Sequence, residues 1–516
     1  MSGTAPVVEA APVPSPRALR RRLTRARRAH ANRTWLQVAE DAYVAIFSLL
    51  MLGVVVGAAL AQVHHELLGC PTEGCGVVRE ELPVVVAVGT IGAVLHALAS
   101  IGPVVSSGAS AQWVLASPVA RGGLLRRPYA AALGVAVAAC VAFPGVAMSG
   151  TTASPTVVVA VLVGAVGAGL LATALATAAQ PHPGARRAVG IVGDVLLTGA
   201  VVLAAAVASG ISWELAGGAT HAVAIAGVLV GVGLVAVVLA TPRIGRLTRA
   251  DVEPGGALVA GLTGAAYGLD LSLVGEVLTA RRFRLLGARR SWRGLGRGFG
   301  AVVVREAMRL ARSPRRLLGL AAGAVVAQVG AAIGLGSLAV LLAALVGYAA
   351  TRWTTASLRI VWRSPGLRRA LGVDDLALLV GLALPGGAVA AVWAVVVTLL
   401  LPGGSVVEAV VLTLAIWSGI VRSAASAPPR FDGPLVTSPM GALPPGAVGA
   451  VVRGPDAAVL GSLALALGAS TGWAVGLAVV VAAWSLWRAI NAVGDTRSYT
   501  ERLQEATAEK QQQRRG

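Results

Sequence analysis

Three ionisable residues interrupt otherwise apolar runs: His96, Asp194 and Glu408. Such groups inside a lipid-embedded helix are costly, and they mark ion or proton pathways. Here no apolar run carries paired acids. Asp194 is near one end of its run, within reach of Arg186 or Arg187, and Glu408 is near the end of its own. The expected role is interfacial pairing or a satisfied polar contact, not a proton relay. The chain's only lysine, Lys510, sits in AEKQQQRRG. A Walker-type phosphate loop sets Lys beside a Gly-rich turn, and Lys510 has none. The chain is therefore not expected to hydrolyse ATP, and no catalytic, cofactor-binding or metal residue is assigned.

A second group lies in HHELLGCPTEGC. Cys70 and Cys75 flank a turn-prone Pro-Thr-Glu-Gly, and Cys140 is the only other cysteine. Two thiols this close outside the cytoplasm tend to oxidise, so a Cys70–Cys75 disulfide is expected. A metal site adding His64 and His65, or two free thiols, are the alternatives.

Two basic loops carry the third group. One reads GPVVSSGASAQWVLASPVARGGLLRRPY and the other TRWTTASLRIVWRSPGLRRALGVDD. Each mixes apolar residues, a Trp, an Arg group and a Ser-Pro break. Pro favours the first turn of a helix, so each loop is expected to form a short amphipathic helix at the membrane surface. Trp113 and Trp362 are apolar anchors of the kind enriched at interfaces. Arg121, Arg368 and Arg369 offer bidentate contacts to acidic groups on a soluble partner. The alternative is that these arginines only obey the positive-inside rule.

At these loops the sequence resembles type-2 ATP-binding-cassette exporter permeases, above all the large permease-like proteins of high-GC bacteria with two sets of spans. LASPVARGGLL and RSPGLRRALG are similar to the segments after that family's second span, and VVREAMRLARSPRRLLG to the elbow before its first. The resemblance implies a separate cytoplasmic ATPase docking on these loops. It places Ser117, Pro118 and Arg121 in one coupling segment, and Ser364, Pro365, Arg368 and Arg369 in another. The family's large external domain has no counterpart here.

Composition shows what must position these groups. Of 516 residues, 56% are hydrophobic, 13% charged and 4% aromatic, and 65 are glycine. A soluble domain needs a polar face for each apolar one, and mean hydropathy of +0.77 leaves too few. The expected fold is all-α, a polytopic helical bundle of about twelve spans in two sets of six. The first set is Tyr43–Gln62, Pro83–Ile101, Tyr129–Ser149, Pro155–Ala178, Ala188–Ser209 and Ala219–Thr241. The second is Leu317–Ile333, Leu335–Ala350, Leu376–Leu401, Val406–Val421, Ala457–Ser470 and Trp473–Ala489. The short pairs around Gly334 and Thr471 read as tilted crossings or re-entrant hairpins. Gly255–Ala280 reads as an amphipathic interfacial segment.

The formal charge of +20 resides almost wholly in arginine. With the N-terminus inside, every arginine except Arg79 falls on the cytoplasmic side, and Glu66, Glu73, Glu80, Glu81 and Glu214 fall outside. The charge thus reads as an orientation signal and not as a nucleic-acid surface. The expected organisation is a disordered and basic elbow region over 1–34 and a first transmembrane set over 35–242. A basic linker with interfacial helices covers 243–316, the second set 317–490, and a cytoplasmic tail 491–516. The two halves share layout more than sequence. LVTSPMGALPPG after the tenth span echoes LASPVARGGLL out of register.

These readings converge on the multi-pass permease of an ATP-driven exporter in a bacterial inner membrane. Its partners would be an ATPase subunit and membrane lipids, with no nucleic acid and no cofactor. A secondary transporter and a non-transporting scaffold are the rivals.

Overall fold

The computed structural model describes residues 15–30, 39, 43, 69, 73–117, 119–212, 218–267, 296–313, 316–336, 338–401, 403–426, 436–438, 441–443 and 452–491. Apolar runs of Val, Ala, Leu and Gly can satisfy their backbone without water inside a single segment by coiling into helices. The described residues do so almost throughout.

Helix α1 (Pro16–His30) is strongly basic. The first set then comprises α2 (Glu73–Ile101), α3 (Arg121–Met148), α4 (Pro155–Ala179), α5 (Pro183–Ala208) and α6 (Gly218–Ala240). Helix α7 (Arg249–Tyr267) follows. The second set is introduced by α8 (Gly298–Ala311) and α9 (Arg316–Ala332), then α10 (Leu338–Thr351). A 3-10 turn, Arg352–Thr355, links α10 to α11 (Ala356–Trp362), and α12 (Pro365–Leu371) comes next. The set ends with α13 (Asp375–Leu400), α14 (Val406–Ala425), α15 (Pro455–Ala466) and α16 (Thr471–Asn491).

Among the described residues, nine helices are long and apolar enough to cross a membrane, and α9 and α15 are shorter apolar helices. Each expected span from Pro83 onward has its helix; Tyr43–Gln62 lies outside the described residues apart from Tyr43. Two boundaries differ. Helix α2 starts ten residues before Pro83 and runs through that proline. Its extra turns bury Cys75 and pack Val78 against Val207 at the end of α5, which stabilises helix where the charges of Arg79, Glu80 and Glu81 suggested loop. The run starting at Leu338 continues through the 3-10 turn as far as Trp362, so this member of the short pair at Gly334 is full length.

Packing explains the glycine-rich, aromatic-poor composition. Helices α2 and α5 touch where a Cβ on Gly92 would lie 2.9 Å from the Leu197 nitrogen, and one on Gly193 2.8 Å from the His96 nitrogen. Helices α4 and α6 meet in the same way at Gly167 and Gly233. Small residues let backbones approach, and dispersion then holds the helices. The second set packs around α14 and α13, with Ala390, Ala394, Leu412 and Ile416 fully buried.

Contact between the sets centres on α9 against α5 and α2. It joins Val78 and Val207 to Val329 and Ile333, and Gln328 Nε2 donates to Ser209 Oγ at 3.3 Å. This joint lies at the ends of the spans away from the arginine-bearing loops. The out-of-register echo has no structural counterpart. Its second copy holds an antiparallel strand pair, Val436–Ser438 with Gly441–Leu443, whereas the first follows a π-helical turn and runs into the start of α3.

Candidate functional site

The arginine-bearing ends of the spans form the face on which the chemistry-bearing residues gather. Beyond Ile101 the chain turns at Gly102, whose φ is +88°. Buried Gln180, at the end of α4, then holds the loop. Its Nε2 donates to Val104 O at 2.8 Å and Asp251 O at 3.0 Å, while its Oε1 accepts from Val104 N at 3.2 Å. Helix α7 supports the loop from the other side. A Cβ on Gly256 would overlap the Ser106 carbonyl oxygen, so only glycine permits this approach.

On this base sits the π-helical turn Ser110–Val114. Ala111 and Leu115 point into a cluster with Val119, Leu125, Tyr129 and Ile244, and Leu19 of α1 packs against it. Trp113 points the other way and is 79% exposed. Ser117 Oγ donates to Val114 O at 2.6 Å, which closes the turn. Pro118 lies outside the described residues. Arg121 opens α3 with its side chain exposed. A rigid base thus presents one aromatic and one arginine outward.

The second segment is built differently. Ser364 Oγ accepts from Leu367 N at 3.4 Å, Pro365 occupies the first turn of α12, and Gly372 ends it at φ +62°. This is the short helix that the Ser-Pro break implied. Trp362, however, is buried, and its Nε1 donates to Ala489 O at 2.9 Å. Arg368 is buried too. Its guanidinium lies 5.3 Å from the Trp362 ring centroid and 3.9 Å from Asp375. Both were expected at the surface. Helical spacing turns them inward, while Leu367, Arg369 and Leu371 face out.

The intramembrane candidates resolve individually. Glu408 caps α14: Ser405 Oγ accepts from Glu408 N at 3.2 Å, and Glu408 Oε2 accepts from Ser405 N at 3.3 Å. Asp194 does not reach Arg186, which donates instead to Ala99 O at 3.1 Å. The Gly92–Gly193 approach brings His96 Nδ1 to 2.7 Å from Asp194 Oδ1, and the pair stays partly exposed on the flank of the bundle. Cys75 is fully buried and disulfide-bonded, and Cys140 is free; Cys70, His64 and His65 lie outside the described residues. No cluster able to hold a metal ion occurs among the described residues.

Two ion pairs leave little trace in the sequence. Glu306 of α8 is buried against Arg309, whose Nη2 also donates to Thr354 O, so the elbow is clasped to the 3-10 turn of the second set. Arg422 of α14 makes a two-pronged pair with Asp456 at 2.6–2.9 Å, and its guanidinium lies 4.0 Å from the Trp484 ring centroid. The signal for the first is Glu three residues before Arg in an otherwise basic helix. The second joins positions too distant in sequence to show any signal.

No curated protein and no solved structure matches the chain. A family model does, over residues 75–434, which takes in both arginine-bearing segments and most of the spans. The chain belongs to that family, described as a family of unknown function (DUF6297).

Proposed function

We propose that the chain is the membrane-spanning permease subunit of an ATP-binding-cassette exporter, driven by a separate ATPase docked on its arginine-bearing face. In this reading the face is cytoplasmic, both termini lie on that side, and the membrane is a bacterial inner membrane. The observation that carries the reading is the loop 103–120. A buried cluster and Gln180 support it, and it projects Trp113, while exposed Arg121 opens the helix that follows. An exposed Trp that no neighbour covers, mounted on a fixed base ahead of an exposed arginine, fits a protein interface. The outer face of α12, with Leu367, Arg369 and Leu371, would form the second contact. Partner closure would draw the two segments together and rock the sets about the joint at Val207 and Val329.

The test is copurification of the ATPase with the intact chain. Trp113→Ala, Arg121→Gln and Arg369→Gln together are expected to cut complex yield while membrane abundance and orientation hold. Unchanged yield removes the docking assignment. One observation favours a second reading, a proton-driven secondary transporter: the His96–Asp194 pair at membrane depth. Transport that survives ATP depletion but stops in His96→Gln would favour it.

A further inference from the structure

A groove of about 420 Å³ runs along the outside of the second set between α9 and α13. Its walls are Leu317, Leu320 and Ala324 on one side and Val389, Val392 and Val396 on the other, with Trp393 as the floor. Trp393 is fixed there, because its Nε1 donates to Leu320 O at 2.9 Å. Ala321 and Ala388 are too short to fill the space. Its size falls within that of ordinary small-ligand sites, about 300–1,000 Å³. Its lining has no polar side chain except the indole N–H already bonded to backbone, so the fitting occupant is hydrocarbon.

The α9 wall of the groove begins one residue after a cation. Leu317 follows directly on Arg316, the first residue of α9, whose guanidinium lies 4.7 Å from the Trp353 ring centroid. Exposed Arg312 caps the end of α8, four residues earlier in the chain. A guanidinium has five donors, so Arg316 can hold an anion in addition to its protein contacts. An apolar channel whose wall begins beside an arginine has the charge and shape of one lipid class.

We propose that this groove binds one acyl chain of an anionic phospholipid from the leaflet at the arginine-bearing ends, with the phosphate held by Arg316. The proposal does not depend on the exporter reading. The full chain, purified in detergent, is mixed with a phosphatidylglycerol that carries a photoreactive group on its acyl chain. Crosslinks are expected in peptides of α9 and α13. Unlabelled phosphatidylglycerol should compete about fivefold better than phosphatidylcholine, the preference one interfacial arginine gives.

Arg316→Gln should abolish that preference while the crosslink persists. Ala388→Phe, whose ring would occupy the groove, should remove the crosslink. Arg316 is partly exposed at a helix start, so its variant decides the matter even if the Phe variant does not accumulate. Equal competition by the two lipids, or crosslinks spread evenly over exposed helices such as α6, would show ordinary annular contact and overturn the proposal.

Discussion

Arg309 and Arg368 both pair with a carboxylate at the arginine-bearing face, yet the two pairs differ in what surrounds the acid. The Glu306 side chain is 3% exposed and the Asp375 side chain 45%. A buried carboxylate that loses its cation keeps the full desolvation penalty, whereas a half-exposed one is rehydrated. Arg309→Gln is therefore expected to cost about 3–5 kcal/mol, and Arg368→Gln, which leaves the half-exposed Asp375 to water, about 1 kcal/mol or less. Thermal unfolding in detergent checks the contrast, and equal losses would refute it. Individual groups are legible in the sequence only as types. His96 and Asp194 stand out because charge is rare in an apolar run, but the partner of each is set by the Gly92–Gly193 approach of two helices about a hundred residues apart in the chain. Trp362 and Arg368 resemble surface anchors on an amphipathic segment, but which face turns inward is set by distant neighbours, as the bond from Trp362 Nε1 to Ala489 O shows.

Elements are far more legible, because length and hydropathy alone make an apolar run a helix in lipid. What the sequence does not show are features decided by neighbours: the ten-residue start of α2 before Pro83, the continuation past Thr351 to Trp362, and the support that α7 gives the loop 103–120. The last of these is open to test. In Gly256→Ala the added methyl would meet the Ser106 carbonyl, a backbone group with no flexible end to move aside. Helix α7 must then withdraw, at a cost of about 1–3 kcal/mol for such overpacking. Because α7 and Gln180 share the loop between them, the expected result is faster proteolysis near Ser106–Ser117 with the spans intact. Gly227 of α6 serves as the control, since a Cβ added there would meet nothing within 4 Å. Its alanine variant should cut at the wild-type rate.

At the scale of the whole molecule, arginine divides the two ends of the spans. One end carries Arg121, Arg186, Arg243, Arg369 and Arg422, while the other has Arg79 beside Glu80. In the proposed reading the first end is cytoplasmic, as the positive-inside rule would have it, and the approaches of Gly92 to Leu197 and of Gly386 to Ile420 belong to helices that pack antiparallel. Cys75 is a poor reporter of sidedness because it is buried and bonded, and Cys140 is buried, so neither competes for a thiol reagent in the absence of reductant. Introduced cysteines at exposed positions report cleanly: Ser470→Cys before α16, and Ser107→Cys in the loop 103–120. In intact cells a membrane-impermeant maleimide is expected to label the first and not the second, and after lysis to label both. The pattern bears on partner docking as well as orientation, because a soluble ATPase reaches Trp113 only from the cytoplasm. Labelling of Ser107→Cys in intact cells would invert the molecule and remove the ATPase-docked reading with it.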